Sequence, residues 1–154
     1  MTDRALLLAV DPGKLSGFVL LDTTEIPDGD PKIVLAEEFD QQLTAANMHW
    51  WLASGEVTSV VMEDFFITVE TAKKKDTRYS LELLGVGRYF STLYSVPFTL
   101  QSPSAAKSFV DNDRIRALGL WVRGGEGHHK DAMRHAILHL VKDCDWRPDK
   151  LLSS

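Results

Sequence analysis

Three acids stand where a buried segment gives way to a turn or where a helix begins. Asp11 follows the apolar run Leu6 to Val10, Glu63 follows Val60-Val61-Met62, and Asp131 lies early in a helical pattern. Singly, each has an ordinary role. Asp before Pro-Gly forms turns, Glu63 can be a strand-end charge, and an acid in a first helical turn gains about 0.3–1 kcal/mol from the dipole. Together they suggest more. Stiff apolar runs hold Asp11 and Glu63 rigidly, and a hard cation needs oxygen donors placed within tenths of an ångström. Carboxylates brought together repel one another, and a divalent ion is the usual relief. In open α/β sheets, ligands gather at the strand ends. His128 precedes Asp131 by three residues, which brings both side chains to one face of a helix start. Asp64 is a reserve donor beside Glu63. A zinc-protease reading of His135 and His139 fails, because Ala136 stands where H-E-x-x-H needs glutamate. Those two histidines read as packing or surface residues.

Nucleic acid is the substrate class that the neighbouring residues suit. Phe65 and Phe66 directly follow Glu63-Asp64. An aromatic ring at the lip of an acidic site can stack on an unpaired base for about 1–3 kcal/mol. Lys73, Lys74 and Lys75, with Arg78, form a basic stretch that suits a phosphate backbone. Arg116 and Lys130 join them as candidate DNA contacts. The net charge of -5 hides a division: residues 1–70 hold 3 Lys/Arg against 13 Asp/Glu, and residues 71–154 hold 14 against 9. The basic half can hold phosphates while the acidic half holds cations.

The 154 residues correspond to one domain, 1–154, with 44% hydrophobic and 25% charged residues. A chain of this size buries about 68–70% of its unfolded surface, enough for a core without disulfides. The composition excludes disordered, collagenous and low-complexity classes. No apolar run reaches the roughly 18 residues of a membrane helix, and Met1-Thr2-Asp3-Arg4 does not open a secretory signal. Cys144 is the single cysteine, which excludes an internal disulfide and fits a reducing cytoplasm.

Positioning these residues requires a mixed α/β fold. Leu6 to Val10 reads as a strand buried on both faces, broken by Asp11-Pro12-Gly13 and paired with Gly17 to Leu21 as a hairpin. Ile33 to Phe39 completes an antiparallel meander. Thr44 caps a predicted helix from Ala45 to Ala53, and Val57 to Met62 is the fourth strand. Residues 68–79 read as a mobile polar loop. Ser80 caps a predicted helix over 81–95, with Leu83, Val86, Phe90 and Leu93 as its buried stripe. Pro97 to Gln101 is the fifth strand. Short helices follow over Pro103 to Asp111 and Asp113 to Leu120, and a last one from Lys130 to Lys142. The tail from Trp146 reads as frayed.

At this level the residues resemble a known family. AVDPGKLSGFVLLD is similar to the opening of RuvC-type Holliday junction resolvases, with Asp11, Pro12, Gly13 and Gly17 on the D-P-G…G pattern. VVMEDFF resembles the family's second acidic motif, with Glu63 as the metal ligand and Phe66 where members carry a base-stacking aromatic. SLELLGVGRYF, PSAAKSF and HHKDAMRHAIL resemble the segments that follow, in the family's order. The resemblance implies an RNase H-like, retroviral-integrase fold: a mixed five-stranded sheet flanked by helices. It implies hydrolysis of phosphodiesters with two Mg²⁺ ions about 3.5–4 Å apart, held by Asp11, Glu63, His128 and Asp131. His128 stands where many members carry Asp and some His, and a neutral imidazole ligand favours Mn²⁺. Lys107 would offset charge on the scissile phosphate. The implied partner is a four-way DNA junction, nicked symmetrically by a homodimer whose candidate seam is the 81–95 helix. No small organic cofactor and no membrane is implied.

Other readings use part of the same signal. D-P-G…G also resembles the phosphate loop of actin/hexokinase-type ATPases, but those need a second loop and about twice this length. A nuclease acting on RNA–DNA hybrids would use similar ligands. A branched-DNA-binding module without catalysis would not need all four ligand positions.

Overall fold

The computed structural model describes residues 3–152. Five strands form one sheet: β1 (Leu6–Asp11), β2 (Leu15–Asp22), β3 (Lys32–Asp40), β4 (Val57–Glu63) and β5 (Phe98–Gln101). Their order is β3-β2-β1-β4-β5. β1 to β3 form the expected antiparallel meander, and β4 and β5 run parallel to β1. Helices α1 (Gln41–Ala53), α2 (Thr77–Leu93), α3 (Pro103–Phe109), α4 (Asn112–Ala117), α5 (His128–Asp143) and α6 (Asp149–Leu152) surround it. This is the α/β architecture expected from the sequence. Among the described residues no helix is long and apolar enough to cross a membrane.

The central strand is apolar throughout because both of its faces are covered. Leu6, Leu8 and Val10 pack with Met48 and Leu52 of α1 and Leu83 of α2. Leu7 and Ala9 point the other way, toward Ala132, Met133, Ala136 and Ile137 of α5. Strand residues alternate between faces with period two. Asp11 therefore falls on the α5 face, the same face as Leu7 and Ala9.

Several helix boundaries differ from the sequence expectation. α1 begins at Gln41, and its cap is Asp40, whose carboxylate accepts the Leu43 N–H at 2.8 Å. Thr44 is instead buried in the first turn, where its hydroxyl donates to the Asp40 carbonyl. α2 begins at Thr77, before Ser80; the Ser80 hydroxyl donates to the Pro12 carbonyl at 2.8 Å and ties the helix to the first turn. Leu93 is exposed, and the buried side of α2 runs through Ser80, Leu83, Gly87 and Ser91. Small residues serve there because the helix approaches the sheet closely. The polar stretch before α2 contains a 3-10 turn at Thr71–Lys73, held by reciprocal bonds between Thr68 and Thr71. The tail is not frayed at Trp146. Its indole is buried and faces Asp30, and Leu151 packs into the same core.

α5 crosses β2 at Gly17. An added Cβ there would lie 1.9 Å from the His128 carbonyl oxygen. That atom is backbone and cannot swing aside. Gly17→Ala should therefore destabilise the protein by about 1–3 kcal/mol or more, as overpacking does. Urea denaturation checks this; an unchanged midpoint would contradict the close approach.

Candidate active site at the end of the sheet

One row of side chains crosses the whole sheet on the α5 face. Glu38 of β3 pairs with Gly17 of β2, and Gly17 pairs with Asp11 of β1. Asp11 is one step beyond the Val10↔Met62 pair, which sets it beside Glu63 of β4. Glu63 pairs with Gln101 of β5. Adjacent strands are about 4.8 Å apart, so Asp11 and Glu63 are neighbouring like charges. The start of α5 lies above this row and adds His128 and Asp131.

Asp11 bears the cost. It is 8% exposed. Burial pushes its carboxyl up to about 8, the charges of Glu63 and Asp131 add to the rise, Lys107 pulls it down, and Glu38 raises it further. Both burial and like charge disfavour the anion. Those charges place Glu63, Asp131 and Lys107 near Asp11. His128 is close as well, with Nδ1 3.5 Å from Asp11 Oδ2.

Each of the other two acids meets a basic side chain of α5. Glu63 Oε2 lies 2.8 Å from Nε2 of His135, which is 1% exposed. Asp131 Oδ1 accepts from Arg134 Nη1 at 2.5 Å. Arg134 also donates to the Val110 carbonyl and the Asn112 side chain, which anchors it. Among the described residues no three His, Cys, Asp or Glu side chains are gathered tightly enough to hold a metal ion as they stand. The pairs with His135 and Arg134 go with this: Glu63 is turned toward a ring nitrogen and Asp131 toward a guanidinium. The carboxylates near Asp11 are oxygen donors, the type a hard divalent cation takes, and the His128 imidazole is a softer one.

Sequence reasoning left His135 among packing residues. It is buried, as a packing residue would be, but its ring joins Glu63 to Gln101, whose Oε1 is 2.9 Å from Nδ1. The Gln101 Nε2 is buried without a hydrogen-bond partner. With the two amide atoms exchanged, Gln101 Nε2 donates to His135 Nδ1, the ring donates from its own Nε2 to the carboxylate, and Oε1 takes the unpartnered position. The signal available in the sequence was the i, i+4 spacing from Asp131, which keeps His135 on the site-facing side of α5. Glu38 was also missed. Burial raises its pKa, but the N–H groups of Glu126 and His128 outweigh that and hold the carboxyl below its ordinary range. His139 lies farther along α5, buried beside Asp143.

Two clefts meet at Asp131. The larger, about 850 Å³, is lined by Asp11, Lys14, Phe65, Lys74, His128 and Asp131 among others. The second is lined by Lys107, Asn112, Arg116, Asp131 and Arg134. Of the three consecutive lysines only Lys74 lines the larger cleft; Lys73 and Lys75 are exposed outside it. Phe65 lines that cleft too, while Phe66 is 59% exposed. Arg78 is exposed against the Tyr79 ring. Arg116 and Lys130 both lie over the Trp121 ring, at 3.9 and 4.5 Å from its centre. Asp64 accepts the N–H of Phe65 at 2.8 Å and shapes the strand end.

Asp11 has a stability consequence. Its pKa is raised on folding, so the folded state holds the proton more tightly than the unfolded chain. Its contribution is fully present below about pH 4 and is lost as pH rises toward 8. In EDTA, Asp11→Asn should melt above wild type at about pH 8.5, by roughly 2–4 °C for each kcal/mol relieved. The gap should close toward about pH 4. A melting difference independent of pH would contradict the buried acid.

No family model and no curated protein matches the sequence. Solved structures do match. A structure of Thermus thermophilus RuvC in complex with a Holliday junction substrate aligns with TM-score 0.67 at 16% identity, covering 88% of this chain and 92% of that one. A second T. thermophilus RuvC structure aligns with TM-score 0.65, also at 16% identity, over 87% and 92%. A glucokinase from an Antarctic psychrotroph reaches only 0.40 over 37% of its length, too slight a likeness to bear on the fold. The chain thus has the fold of RuvC, over most of its length and over most of RuvC's.

Proposed function

We propose that this protein is a divalent-metal-dependent endonuclease that cuts branched DNA, with the Holliday junction as its principal substrate. The carrying observation is the convergence of Asp11, Glu63 and Asp131 beneath the start of α5, where Asp11 is buried among like charges. Support for the substrate comes from the solved RuvC, which holds a Holliday junction on the same fold.

Asp11, Glu63, His128 and Asp131 would hold Mg²⁺ or Mn²⁺, two ions in the fullest form. Bound there, the metal supplies an activated water and charge stabilisation for the leaving oxygen. The chain's own residues do the rest. Burial of Asp11 keeps that carboxylate out of bulk water, where its charge would be screened. His135 holds Glu63 from behind, and Arg134 holds Asp131. Lys107 lies near enough to Asp11 to pull its pKa down, so it can also offset charge on a phosphate drawn to the acids.

The two clefts that join at Asp131 suit a DNA strand passing over the acids. Lys14 and Lys74 would hold phosphates on one side, and Lys107 and Arg116 on the other. Exposed Phe66 is the ring available to stack on an unpaired base at a branch. Leu81, Gly85, Tyr89 and Leu93 recur every four residues on the outer side of α2, all exposed. That stripe is the seam proposed for a homodimer, whose two-fold symmetry suits paired nicks.

The test is product mapping on a mobile four-way junction with Mg²⁺, beside a flap and an RNA–DNA hybrid. Paired symmetric nicks are expected. Scattered cuts, or preference for the hybrid, would overturn the junction reading. Asp11→Asn should lower nicking by about 10³-fold or more, because a metal's several kcal/mol of transition-state stabilisation is lost. Its junction binding in Ca²⁺ should persist. Equal nicking by wild type and Asp11→Asn would remove the acids from the chemistry.

A further inference from the structure

We propose that Glu38 is a positioning residue for the catalytic turn: a carboxylate on β3 that caps α5 from a distance and thereby sets His128 and Asp131 against Asp11. The proposal rests on the reading of those residues as a metal site. A helix begins with N–H groups that have no intrahelical partner, and the N-cap side chain normally accepts one. The N-cap of α5 is Gly127, which has no side chain to offer. Glu38 supplies both acceptors instead. Its Oε1 accepts from the Glu126 N–H at 2.6 Å, and its Oε2 accepts from the His128 N–H at 2.8 Å. His129 Nδ1 lies 3.6 Å from Oε1.

The surroundings are shaped for this contact. An added Cβ at Gly125 would fall 1.8 Å from Glu38 Oε1, so only glycine lets that loop reach the carboxylate. Gly17, between Glu38 and Asp11 in the sheet register, leaves the gap into which the His128 carbonyl descends. Glu38 side-chain exposure is only 9%. An anion at a helix start is also favoured by the dipole. The rigid sheet thus fixes one distance at both ends. Asp11 hangs from β1, and the first turn of α5 hangs from β3 through Glu38. Carboxylate ligands that share a cation need that distance held.

Glu38→Gln and Glu38→Ala test the assignment on the full chain. The Gln side chain keeps the size but offers one acceptor oxygen, so one of the two backbone bonds is lost. Mn²⁺ affinity is read by calorimetry, amide exchange at Glu126 and His128 by NMR, and four-way junction binding in EDTA by gel shift. Expected are faster exchange at one or both amides and Mn²⁺ binding weakened by about 10–100-fold, the usual effect of losing a residue that orients a ligand. Junction binding in EDTA should stay within about twofold, which a general loss of folding would not allow. If Glu38→Ala fails to fold, the isosteric Gln variant decides. Unchanged exchange and unchanged Mn²⁺ affinity would overturn the proposal. So would loss of Mn²⁺ binding as complete as in Asp11→Asn with both amides still protected, because Glu38 would then be a ligand itself. If wild type binds no Mn²⁺, the nuclease reading fails, and amide exchange alone decides whether Glu38 anchors the turn.

Discussion

Like charge at the end of one sheet is the constraint around which the rest is arranged. Two neighbouring strands deliver Asp11 and Glu63 to the same face, and the sheet allows them no lateral escape. Strands about 4.8 Å apart leave the two carboxylates close enough that ionising both is disfavoured. Asp11, being buried, shows the cost in its raised pKa. The protein offsets the repulsion with basic groups from one helix: His135 on Glu63 and Arg134 on Asp131. These partners keep the acids in place without consuming both oxygens of either.

The position of α5 follows from that arrangement. Its apolar side, through Ala132, Met133, Ala136, Ile137 and Leu140, packs on the sheet and sets its height. Its first turn descends at Gly17 because no side chain blocks it there. Hydrophobic packing thus acts along the body of this helix and charge-directed anchoring at its first turn. Packing is non-directional and holds the body of the helix. Hydrogen bonds are directional and can set the terminus, where the reacting groups lie.

Much of this was legible in the chain. Turn chemistry at Asp11-Pro12-Gly13 and the doubly buried run before it located the first acid. The apolar run ending at Met62 located the second, and the His128–Asp131 spacing located the third. Helix starts were harder to read. Asp40 and Thr44 are both good caps, and only the position of β3 determined that Asp40 would act as one. Ser80 looked like a cap but lies within a helix, because its hydroxyl found the Pro12 carbonyl, distant in sequence. Trp146 looked like a frayed tail because nothing near it in sequence could cover it; the cover comes from the core beneath α5.

Local pattern by itself determined the element types, the central strand and the acids at the strand ends, since those depend on period, turn residues and neighbours a few positions away. Tertiary structure alone decided which groups those acids would face. Glu38 and Gln101 carry no motif, and the spacing of His135 from Asp131 gives only its side of the helix; strand register and a helix crossing bring all three to the row that holds Asp11 and Glu63. Register is a property of paired strands and not of any one segment, so the partners of the site could be known only after the sheet had assembled.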